Sequence, residues 1–184
     1  DLQAANSWFQ QALRTDPDDV VALVRWGDLY AASHQNAEAM KIYREALALD
    51  ESYAYAQLGA ARALAGSFDD AANTYLAPLL TDPATAAGAR ASALLLRARL
   101  ALENGDREAA RTDLDEAAEI VALNDWPPLQ VYALRAAADH LDGVTASRWT
   151  DLSLEYNPHY GDIYAAPPSP PARGLTRRRP LLRR

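Results

Sequence analysis

Residues 23–46 read LVRWGDLYAASHQNAEAMKIYREA, and the spacing of large and small apolar residues in this stretch decides the architecture. Leu23, Trp26, Gly27 and Tyr30 recur at intervals of three and four, which keeps their side chains on one face of a first helix. Ala39, Tyr43 and Ala46 do the same on a second helix. The small Gly27 and Ala39 let two backbones approach closely, while Trp26, Tyr30 and Tyr43 fill the space beside them.

The pattern stands on both sides of this stretch. Ala5, Phe9, Ala12 and Pro17 precede it by one period of about 34 residues, and Leu58-Gly59, Ala71, Tyr75 and Asp82-Pro83 follow at a slightly shorter one. That period is the length of one helix-turn-helix unit in a stacked solenoid, whose units bury their apolar faces only against each other. The residues resemble the tetratricopeptide repeat family, whose unit has a Trp or Leu, a Leu-Gly pair, a Tyr, then Ala, Phe or Tyr, Ala and Pro. The resemblance implies an all-α fold, a right-handed α-solenoid of stacked antiparallel helix pairs.

Further along, the pattern loosens. Pro78 stands where the third unit prefers Ala, and a proline there is expected to kink or shorten the helix. A fourth unit has a long Ala-rich helix over about 86–103, a Gly105-Asp106 turn, then Ala110, Leu114 and Ala117. A fifth has a helix from about Leu129 to Leu141, Gly143 at the turn, Ala146 and Trp149 inward, and Asn157-Pro158 closing it. The chain opens inside a second-type helix at Leu2, and a further first-type helix begins at Pro158 to Tyr164. Residues 1–164 therefore read as a piece of a longer array, about four complete helix pairs with a partial unit at each end, and the open Ala-rich ends offer a surface for a second copy.

Charge divides the chain. Residues 167–184 hold six of the 18 Lys and Arg and none of the 25 acids, so the tail carries +6 and the preceding residues −13. An acidic body disfavours nucleic acid, which needs clustered cations along one face. The tail, PPSPPARGLTRRRPLLRR, is too rich in Pro and Arg to fold alone, and residues 165–184 are expected to be disordered. A basic arm for an anionic surface, or a proline-rich ligand built on Pro168, Pro171 and Arg173, are its other readings. Cysteine is absent, which removes disulfide and thiol chemistry but leaves the compartment open between cytoplasm and periplasm. No run approaches the roughly 18 apolar residues of a membrane span.

Constellations for chemistry are missing. His34, His140 and His159 fall in different units, none within a His-Glu-x-x-His pattern, and His34 with Glu38 makes a poor two-ligand site across a turn. Asp16, Asp18 and Asp19 around Pro17 lack the spaced ladder of a calcium loop and suit helix capping instead. Ser7, Ser33, Ser67, Ser92 and Ser147 lie outside any nucleophile elbow. No catalytic residue, metal or cofactor is expected.

What remains is a surface. In the resembling family the second, fifth, ninth and twelfth positions of each first helix face a concave groove, which implies Val21, Val24, Asp28 and Ala31 in one unit and Tyr53, Ala56, Ala60 and Ala63 in the next. Looser registers add Arg99 and Arg135, placed to hold an acidic group of a bound segment. The grip on a chaperone's terminal carboxylate known in the family uses Lys and Asn where this chain has Val24 and Asp28, and an acid there repels the ligand. The resemblance thus implies a non-catalytic scaffold for a protein or peptide partner. The alternative is a substrate-presenting or regulatory arm of a larger bacterial enzyme such as a peptidase, which a His-Glu-x-x-His or similar motif downstream would favour.

Overall fold

The computed structural model describes residues 2–65, 71–125 and Arg135. Among them are seven helices and no strand: α1 (Leu2–Thr15), α2 (Val20–Ala32), α3 (Asn36–Leu49), α4 (Ala54–Leu64), α5 (Ala71–Thr81), α6 (Ala87–Glu103) and α7 (Arg107–Leu123). Each helix packs on the next, so the chain is an all-α helical-repeat solenoid, with α2, α4 and α6 as the first helices of successive units and α3, α5 and α7 as the second. The fifth unit, with the helix expected over Leu129 to Leu141, and the tail from residue 165 lie outside the described residues apart from Arg135.

Local chemistry sets the boundaries. The Asp19 carboxylate caps α2 by accepting from the Ala22 N–H at 2.9 Å, and Asp106 does the same for α7 through Ala109. Between units, the Asp50 Oδ1 accepts from the N–H and hydroxyl of Ser52, and the Asp82 Oδ1 accepts from the Ala84 N–H. Within units the turns are tighter: Ser33 to Gln35 joins α2 to α3 with His34 left-handed at φ 60°, and Gly105 at φ 81° reverses the chain before α7. Pro78 does not end its helix, contrary to the shortening expected from the sequence. The α5 helix runs on to Thr81, whose hydroxyl donates to the Ala77 carbonyl, and the Asp82 N–H returns to the Pro78 carbonyl at 3.0 Å.

The packing explains the repeat pattern. Tyr43 is buried between two glycines of neighbouring units: a Cβ on Gly27 would stand 2.6 Å from its Cε1, and one on Gly59 would also collide with the ring. A side chain at either position would force the buried ring to shift, which favours glycine at both. In the fourth unit the places of Gly27 and Tyr43 are taken by Ala98 and Leu114, where a smaller partner leaves room for a methyl. One core cluster joins α2, α3 and α4 around Tyr43, and another joins α4 to α7 around Leu76, Leu79 and Leu94. Tyr75 touches both, which ties the array together at α5.

Candidate peptide-binding face

The residues expected to line a groove divide by exposure. Val24, Ala56, Ala60 and Ala63 are buried in the core cluster around Tyr43 and present almost no surface. Val21 is 53% exposed at the start of α2, Asp28 is half-exposed further along the same helix, and Arg99 is exposed on α6. Tyr53 is half-buried just before α4, with its ring centroid 6.0 Å from that of the exposed Tyr55. The exposed or half-exposed members of the expected set are therefore the apolar Val21 and acidic Asp28 on α2, the aromatic Tyr53 just before α4 and the basic Arg99 on α6.

Asp28 is held in place. The Tyr43 hydroxyl donates to its Oδ1 at 2.8 Å, reaching across from the second helix, while Arg25 stands 3.8 Å from its Oδ2. Burial pushes the Tyr43 phenol well above the ordinary tyrosine range, the hydrogen bond to Asp28 and the charge of that carboxylate add to the rise, and Arg62 on α4 opposes it. Tyr43 thus remains a neutral donor, and one carboxylate oxygen of Asp28 stays available beside Arg25. Sequence reasoning gave Asp28 no partner, because the Tyr43 contact joins two helices and depends on their relative rotation.

The two expected arginines differ. Arg99 is loosely paired with Glu103, one turn away at 3.6 Å, and both side chains are about half-exposed. Leu95 and Leu102 flank it at intervals of four and three and are half-buried, an apolar bed that the residue-by-residue reading missed. Arg135 is already engaged: it pairs with Asp115 on α7 and donates to the Arg111 carbonyl, with its side chain largely buried. Two further ion pairs bind α6 to α7. Arg97 donates bidentately to Asp113 at 2.8 and 2.6 Å, and Arg90 donates to Glu116 at 3.0 and 2.8 Å. The hydrogen bond to Asp113 raises the Arg97 pKa further, against a smaller opposing effect of burial.

At the other end, Asn6 on α1 docks onto α2. Its Oδ1 accepts from Trp26 Nε1 at 2.6 Å and from the Tyr30 hydroxyl at 3.1 Å. Among the described residues no group of three His, Cys, Asp or Glu is placed to hold a metal, and no helix is long and apolar enough to cross a membrane.

Residues 21–53 match the family model described as tetratricopeptide repeat. The fold is similar to that of PilW, a widely conserved type IV pilus biogenesis factor, at 20% identity and a TM-score of 0.68 over 91% of this chain and 72% of PilW. It is also similar to two crystal structures of MamA, each at 17% identity, with TM-scores of 0.63 and 0.61 and coverage of at least 90% on both sides. No curated protein matches the sequence.

Proposed function

We propose that this chain, a tetratricopeptide-repeat array, is a non-catalytic interaction scaffold that binds a peptide segment of a partner protein along the exposed strip of α2, α4 and α6. Arrays of this kind are generally scaffolds, since stacked units create extended surface without enclosing a reaction chamber. The single observation that carries the finer reading is the oriented carboxylate of Asp28, fixed by the buried Tyr43 phenol at 2.8 Å while remaining half-exposed. A preorganised charge loses little freedom on binding.

In this reading Val21, Tyr53 and Tyr55 take apolar side chains of the segment, Asp28 meets a donor, and Arg99 meets an acidic group. Val24, Ala56 and Ala60 support the strip from beneath rather than touching the segment. Arg135 serves the α7 contact. The likeness to PilW and MamA, at 20% and 17% identity, bears on the fold and leaves the partner's identity to experiment. Hydrogen exchange on the protein with and without a bound partner tests the placement: slowed exchange in α2, α4 and α6 supports it, and protection confined to α3, α5 and α7 overturns it.

A further inference from the structure

A hollow of about 380 Å³ opens between the second helices α3 and α5, with Gln57 of α4 also in its lining. Leu47, Ala48, Tyr75 and Pro78 supply apolar wall, and Arg44, Glu51, Thr74 and Gln57 supply polar groups. Pro78 helps to form it by bringing a short, donor-free ring to the surface of α5.

Gln57 marks the hollow as more than a packing gap. The residue is only 8% exposed, and its Nε2 donates to the Glu51 carbonyl at 2.8 Å. No described residue donates to its Oε1, so a largely buried acceptor on a residue that lines the hollow lacks a partner among them. The rim has a charge order as well. Arg44 lies on α3 and Glu51 in the turn just after its Asp50 C-cap, and neither forms an ion pair with a described residue.

We infer that this hollow is a second docking site, for a short segment that carries a bulky apolar side chain between an acidic residue and a basic residue. The apolar side chain enters between Leu47, Tyr75 and Pro78, a backbone N–H of the segment donates to Gln57 Oε1, the acid pairs with Arg44 and the base with Glu51. A segment with two acids loses one pair and meets Glu51 with like charge.

The test uses two blocked tetrapeptides, acetyl-Glu-Trp-Ala-Lys-amide and acetyl-Glu-Trp-Ala-Glu-amide, titrated onto the full chain and followed by NMR. The first is expected to bind at least five-fold tighter. Glu51→Lys, on the exposed rim, reverses the order, and Ala48→Phe, which fills the hollow from its wall, removes binding of both. Arg99→Glu, on the first-helix strip, leaves both unchanged, which separates this site from the proposed peptide strip. Absence of saturable binding, an order indifferent to Glu51→Lys, or loss of binding in Arg99→Glu overturns the inference. Circular dichroism of each variant confirms that the helices persist.

Discussion

Tyr43 and Gly59 belong to different repeat units, yet the tyrosine ring occupies the space in which a side chain at position 59 would begin. Neighbouring units are thereby locked at a distance that favours glycine.

Gly59→Ala is expected to destabilise the array by about 1–3 kcal/mol, because a buried ring between two helices cannot yield as a flexible side chain does. Gly27→Ala has the same effect. Combining Gly27→Ala with Tyr43→Leu, which imitates the natural Ala98 and Leu114 pair, costs less than the sum of the single changes. Urea unfolding of the three variants measures the coupling, and strict additivity would show that the contact does not set the spacing.

The Tyr43 phenol gives stability a sign with pH. Its pKa is raised on folding, so the contribution is fully present below the unfolded value of about 10 and declines as pH rises past it. Tyr43→Phe lacks both the titration and the bond to Asp28, which contributes about 0.5–1.5 kcal/mol. The stability gap between wild type and variant at pH 8 therefore narrows by pH 11. A gap that stays constant over this range contradicts the assignment.

The ion pair of Arg97 and Asp113 is lopsided, with the carboxylate-bearing residue 4% exposed and the guanidinium reaching solvent. Arg97→Leu leaves a buried charge unpaired and is expected to cost about 3–5 kcal/mol, whereas the double change Arg97→Leu with Asp113→Leu is close to neutral. The second unit has apolar Trp26 and Ile42 at the corresponding places. Thermal unfolding at neutral pH distinguishes the two outcomes.

Asn6→Leu deprives Trp26 and Tyr30 of their shared acceptor and is expected to loosen α1 while α2 to α7 hold. Hydrogen exchange should quicken in α1 alone. Uniform quickening along the chain would mean that α1 is integral to the cooperative unit.

The fold was legible because glycine, alanine and aromatic residues recur where helices touch, and this requirement is local and periodic. Gly27, Ala39, Tyr43 and Gly59 announce their packing in their spacing alone. The candidate strip was legible only in part. Family position points Val24, Ala56 and Ala60 outward, but close helix approach covers such short side chains, a consequence of spacing that sequence does not display. Arg135 finds Asp115 from a distant part of the chain with no pattern linking them, and the donor to Asp28 lies on another helix. The hollow at Gln57 exists between units, so no single unit encodes it. Pro78 reads as a helix breaker, yet α5 passes through it to Thr81, with the Pro78 carbonyl accepting from the Asp82 N–H.

The most direct measurement of the scaffold claim is the affinity of a partner, identified by pull-down and then purified, for the full chain and for Tyr53→Ala and Arg99→Glu variants of unchanged helicity. Weakening of at least ten-fold in either variant, about 1.4 kcal/mol, is the predicted result. Unchanged affinity in both contradicts binding along α2, α4 and α6.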